Sequence, residues 1–70
     1  MTEIEVTLVK VFSPQGKLLS MWPTNEHFNG DGFDYKKHIR ETRCKEIMER
    51  HPEIKQVEHL QIDINVKPLH

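Results

Sequence analysis

Hydrophobic and polar residues alternate in three stretches of this chain, and a longer stretch between the second and third has a helical pattern. Residues 3–12 are rich in β-branched side chains and alternate as far as Leu8, after which Val9 and Val11 fall on the previously polar face. Such a change predicts either a β-bulge near Leu8 or burial on both faces. Both alternatives suit the central strand of a sheet.

A hairpin follows the first strand. Residues 13–16, Ser-Pro-Gln-Gly, have the sequence preferences of a type I turn. Residues 17–22 form the predicted return strand, and their apolar side chains fall on both faces. We expect one face to meet the helix, whereas the second face would carry a smaller apolar cluster for a monomer to expose or for a partner to cover. Residues 23–31 are predicted to be a long loop, because turn-forming residues recur in them.

The helical stretch is predicted to span residues 32–51. Asp31 is the expected N-cap, and Pro52 stops the helix by restricting the residue before it. Residues 57–66 then predict a third strand, in which apolar side chains alternate with polar ones from Leu60 onward. The sequence therefore predicts one domain over residues 1–70.

The predicted fold class is α+β, with element order β-β-α-β. The doubly apolar first strand belongs in the middle, which predicts a three-stranded antiparallel sheet of order 2-1-3 covered on one face by one helix. The second and third strands would then be edges, with backbone groups free to pair with another chain.

Angular sorting at about 100° per residue predicts which side of the helix is buried. Four apolar side chains project within about 100° of one another: Phe33, Cys44, Ile47 and Met48. Two more, Tyr35 and Ile39, point to a neighbouring sector of the helix. Basic residues lie between these apolar side chains. Of the aromatic side chains around the predicted loop, Trp22 and Phe33 are expected in the core, and His27 and Phe28 at the surface.

Composition narrows the function classes. The net charge of −1 removes any bulk electrostatic case for binding nucleic acid or an anionic membrane. One cysteine cannot form an internal disulfide, the N-terminus does not resemble a signal peptide, and no apolar run reaches the roughly 20 residues that span a bilayer. These features predict a cytoplasmic protein.

Candidate chemistry is sparse. The five histidines and Cys44 lack the short ligand spacings of a zinc site. A cysteine on the apolar side of a helix is usually a small hydrophobic residue rather than a nucleophile. No phosphate loop or nucleophile motif is present. We therefore expect no enzyme activity, no cofactor and no metal.

The leading functional prediction is a non-enzymatic protein–protein interaction module, with a regulatory or adaptor role. Self-association into a homodimer would use a sheet edge or the open sheet face. One alternative is a nucleic-acid-binding regulatory protein that uses the basic helix flank, and another is a small enzyme whose site is not visible in the sequence. The candidate partner-binding residues are Lys36, Arg40, Arg43, Arg50, His27, Phe28 and Tyr35. Charge reversal in the flank formed by Lys36, Arg40 and Arg43 is expected to change association more than stability.

Overall fold

The computed structural model describes residues 3–68. Within them lie three strands, β1 (Glu3–Phe12), β2 (Leu18–Asn29) and β3 (Gln61–Pro68), two helices, α1 (Gly32–Glu41) and α2 (Arg43–Arg50), and a 3-10 turn at Val57–His59. Of the predicted domain 1–70, residues 1, 2, 69 and 70 lie outside the described residues. The order of strands in the sheet is β2-β1-β3, and both neighbouring pairs are antiparallel. The predicted α+β class, strand order and antiparallel pairing are therefore confirmed.

A β-bulge interrupts the central strand where the sequence pattern changes. The pairing of β1 shifts between Val6 and Leu8 against both neighbouring strands, which is the first of the two predicted alternatives. The extra residue, Thr7, donates a hydrogen bond from its hydroxyl to the backbone oxygen of Asn65 at 3.3 Å. Because of the bulge, the fully buried Val9 lies on the same face as Val6. A strand whose sequence seems to change faces therefore presents one continuous buried surface.

The second strand is much longer than predicted, and the proposed loop at residues 23–31 is wrong. The seven residues beyond Trp22 continue the strand alongside β1, since Ile4 lies opposite Phe28 and Val6 opposite Glu26. Turn-forming side chains suggested a loop here, but the backbone hydrogen bonds that β1 offers over its whole length decide the local structure. Only Gly30 and Asp31 separate this strand from the next helix.

The helical region consists of two helices, so the prediction of one helix over residues 32–51 is also wrong. The break is at Thr42, whose hydroxyl donates to the backbone oxygen of His38 at 2.8 Å. On an unbroken helix, Tyr35 and Cys44 would lie about 180° apart, so both could not face the sheet. The break changes the phase of the second helix, and both residues are fully buried.

The changed phase also explains the misplaced Phe33, which was predicted to be in the core. With Tyr35 and Ile39 facing the sheet, Phe33 lies on the outward side of α1 and is 77% exposed. Trp22 is half-buried against the core, consistent with its prediction. The ends of the helical region match the sequence signals: the Asp31 carboxylate accepts a hydrogen bond from the backbone N–H of Asp34 at 2.9 Å, and α2 ends two residues before Pro52.

The core lies between the helices and one face of the sheet. Its buried hydrophobic side chains come from β1, both helices, the link after α2 and the start of β3: Ile4, Val6, Val9, Val11, Tyr35, Ile39, Cys44, Ile47, Ile54, Leu60 and Ile62. The third strand begins at Gln61 rather than at residue 57, because the residues before Leu60 turn to bring that side chain inward. Neither helix in the described part of the chain is long and apolar enough to cross a membrane.

Candidate interaction surfaces

The sheet face opposite the helices carries an apolar surface that no other element of residues 3–68 covers. Residues paired across antiparallel strands share a face, and the pairing places five apolar side chains there: Leu8 beside Pro23, Phe12 beside Leu18, and Met21 beside Lys10. Leu18 is 46% exposed and Met21 55% exposed. We call these five residues, Leu8, Phe12, Leu18, Met21 and Pro23, the apolar stripe. The sequence pattern predicted a smaller apolar cluster on one face of β2, but it did not predict that Leu18 and Met21 share that face.

Charges of both signs surround this stripe. Lys10 pairs with Asp63, and Glu5 pairs with Lys67, across β1 and β3. His27, a predicted partner-binding residue, lies on the same face with its Nε2 4.0 Å from a carboxylate oxygen of Glu5. A face that carries apolar side chains together with balanced charges, Lys10 among the apolar residues and the others nearer the edges, suits a protein surface better than a polyanion.

The predicted basic flank of the helices does not form a single contact surface, because Arg40 binds within the protein. Its guanidinium donates hydrogen bonds to the backbone oxygens of Val57 at 3.0 Å and Leu60 at 2.7 Å. These bonds satisfy two carbonyls of the 3-10 turn and fix that turn to α1. Arg40 is therefore a residue that stabilises the fold.

Arg43 is engaged in a second intramolecular contact. Its guanidinium carbon lies 4.4 Å from the centre of the Trp22 ring, the geometry of a cation–π interaction. The contact joins α2 to the outer strand β2. Arg50, by contrast, is exposed at the end of α2. Of the four predicted basic residues, two connect elements of the fold and do not point freely toward a partner.

Two of the aromatic residues predicted to face a partner are packed on the core. Tyr35 is fully buried and donates a hydrogen bond from its hydroxyl to Oε1 of Glu26 at 2.7 Å. Burial raises the pKa of Tyr35, and the Glu26 carboxylate raises it further. Phe28 is half-buried and meets the Tyr35 ring edge-on, with centroids 5.2 Å apart. Of the aromatic and histidine candidates, only His27 lies exposed.

A different surface on α1 combines an exposed aromatic ring with cations. Phe33, Lys36, Lys37 and Arg40 follow one another at helical spacings of three, four and seven residues and line a depression of about 240 Å³. We call these four residues the aromatic–basic surface. Lys36 and Arg40 were predicted as binding residues from the sequence, whereas Phe33 was expected in the core because an unbroken helix would turn it inward.

Chemically reactive groups are few among the described residues. Cys44 is fully buried, and burial raises the pKa of its thiol, so the reactive thiolate is disfavoured. Within residues 3–68, no group of three His, Cys, Asp or Glu side chains is arranged to hold a metal ion. His70, one of the five histidines, lies outside these residues.

Comparison with known proteins gives no relatives: the chain matches no family model, no curated protein and no solved structure.

Proposed function

We propose that this chain is a non-enzymatic interaction module that associates with a second copy of itself through the open face of its sheet. The observation that carries the proposal is the apolar stripe, in which Leu18 and Met21 are about half exposed on a face that no helix of residues 3–68 covers. Covering this face would add a second apolar layer to a domain whose core is thin for its size.

The arrangement of charges supports a second copy as the partner. A two-fold axis through the stripe sets the same face against itself, so that a group that contacts a second group of the partner is matched by the reverse contact across the axis. Lys10 and Lys67 lie beside the stripe together with Glu5 and Asp63. A face with two cations and two anions in these positions has opposite charges to offer its own copy, whereas a face of one sign would repel it.

The size of the face sets the expected affinity. Three strands of 10, 12 and 8 residues, spaced about 4.8 Å apart, give a projected area of roughly 450 Å². That is about half of the roughly 800 Å² per partner in an interface of standard size. We therefore expect a reversible dimer with a dissociation constant in the micromolar range.

Sedimentation velocity over protein concentrations from about 1 µM to 1 mM measures this equilibrium. The natural protein is expected to move from monomer to dimer within that range. Met21→Glu puts a carboxylate into the apolar stripe of each copy, and the dimer would desolvate it, so we expect the dissociation constant of this variant to rise about tenfold or more. Because Met21 is 55% exposed, this variant should fold normally.

Phe33→Glu is the matched control, since it makes the same kind of change at an even more exposed apolar residue on the helix side. Its dissociation constant should equal that of the natural protein. A natural protein that stays monomeric throughout the range contradicts the proposal. So does a dimer that Phe33→Glu weakens and Met21→Glu leaves unchanged, because that result would place the interface on the helices.

A further inference from the structure

We propose that the aromatic–basic surface binds single-stranded nucleic acid, with one base stacked on Phe33 and the flanking phosphates held by Lys36 and Lys37. The site lies on the opposite side of the domain from the apolar stripe and does not depend on self-association. The observation behind it is a phenylalanine that is 77% exposed at the centre of a cationic helix face.

The position of Phe33 gives its ring an unusual setting. Tyr35 and Ile39 bury the inner side of α1, so the ring stands on the outer side, with Lys37 one turn further along. Lys36 and Arg40 flank the other side of the ring at helical spacing. Nearly every base can stack on an exposed aromatic face, and lysine ammonium groups one helical turn from the ring reach the neighbouring phosphates.

Single-stranded nucleic acid fits these groups better than the other anionic partners. The bases of a duplex are stacked on one another and closed to a protruding ring, whereas those of a single strand are free to stack on it. An acidic protein segment would satisfy the lysines, but it has no need of a flat aromatic ring between them. The ring and the cations together therefore favour a ligand that carries both planar and phosphate groups.

Charge determines how tightly the site can bind. The chain has a net charge of −1, so attraction comes from the local cations alone. Arg40 adds to the local potential while its guanidinium remains hydrogen-bonded to Val57 and Leu60. With two to three phosphate contacts to a single strand, a plot of the logarithm of the binding constant against the logarithm of the salt concentration should have a slope of about −1.4 to −2.1.

Fluorescence anisotropy of a labelled oligothymidylate of about ten nucleotides tests the proposal with the full chain. We expect binding at low salt that weakens from about 50 to 200 mM salt with the stated slope. Phe33→Ala should weaken binding roughly 5- to 150-fold, the usual effect of losing one stacked base. Phe33→Trp keeps an aromatic ring and should bind as well as the natural protein. Thermal unfolding of each variant checks that the exposed substitution leaves the fold intact.

Lysine substitutions separate phosphate contacts from general charge. Lys36→Gln and Lys37→Gln should each make the salt slope shallower by about 0.7, whereas Lys45→Gln, the same charge change at an exposed position on α2, should leave both affinity and slope unchanged. Competition with thymidine monophosphate should require a far higher concentration than competition with the oligonucleotide. That difference distinguishes a strand from a free nucleotide.

Three results would overturn the proposal. The first is no binding of the oligonucleotide at low salt. The second is equal affinity for polyglutamate, which would identify an acidic protein as the partner. The third is a folded Phe33→Ala variant that binds as well as the natural protein, because then no base stacks on the ring.

Discussion

Replacing Arg40 with alanine should destabilise the fold, because the side chain holds the 3-10 turn against α1. The substitution removes two hydrogen bonds from a charged donor, at 3.0 and 2.7 Å, and leaves the carbonyls of Val57 and Leu60 without that partner. A hydrogen bond to a charged group contributes about 1.5–3 kcal/mol when it is well buried. Arg40 is half-buried, so we take a lower value of about 1 kcal/mol for each bond.

The expected loss is therefore about 2 kcal/mol. The total stability of a domain of this length is only roughly 3–10 kcal/mol, so such a loss is large. It corresponds to a fall in Tm of about 8–16 °C. Urea unfolding followed by the fluorescence of Trp22, the single tryptophan, measures the change, and the m value should stay constant because the same surface is exposed on unfolding.

Two further variants make this test specific. Arg40→Lys keeps the charge but loses the planar fork, so its stability should lie between those of the natural protein and Arg40→Ala. Arg50→Ala removes the same side chain from an exposed position on α2 and should change stability by less than about 0.5 kcal/mol. If Arg40→Ala and Arg50→Ala unfold at the same urea concentration, the structural role given to Arg40 is wrong.

Two other predictions concern Tyr35 and Gly30. The pKa of Tyr35 is raised in the folded protein, so its contribution to stability is complete below about pH 10 and is lost as the pH rises above that value. The free energy of unfolding of the natural protein should therefore fall in alkaline solution. Tyr35→Phe should be less stable by about 1 kcal/mol at neutral pH but should not show this decline. Parallel curves of stability against pH for the two proteins would refute the assignment. Gly30 has a φ of +148°, and a Cβ there would lie 2.7 Å from a ring carbon of Phe28. We expect Gly30→Ala to cost roughly 1–3 kcal/mol in urea unfolding, more than Gly16→Ala, where φ is +89° but the surrounding space is open. Equal costs at the two glycines would show that the ring contact is unimportant.

The elements that the sequence predicted well are those with local signals. The change of pattern after Leu8 marked the bulge, and Asp31 and Pro52 marked the two ends of the helical region. The central position of β1 followed from its apolar residues on both faces. Each of these features is determined by residues within a few positions of it.

The elements that the sequence missed depend on distant contacts. Residues 23–29 carry few strand-forming side chains and form a strand because β1 lies beside them. The break at Thr42 has only a weak local signal, yet it decides which side of α1 is buried. The exposure of Phe33 follows from that break, and the contacts of Arg40 and Arg43 are made to residues far away in the sequence. One clue was available in the sequence, since Tyr35 and Cys44 cannot share a side of an unbroken helix.

Self-association through the open sheet face is the central claim, and contacts between protomers test it most directly. A sample that mixes isotope-labelled and unlabelled protein, at a concentration where sedimentation finds dimer, gives nuclear Overhauser effects that arise only between two copies. We predict such effects between the Met21 methyl group of one protomer and the side chains of Leu8 and Phe12 of its partner. Effects confined to the edge-strand backbone or to the outward side of α1 would contradict the account.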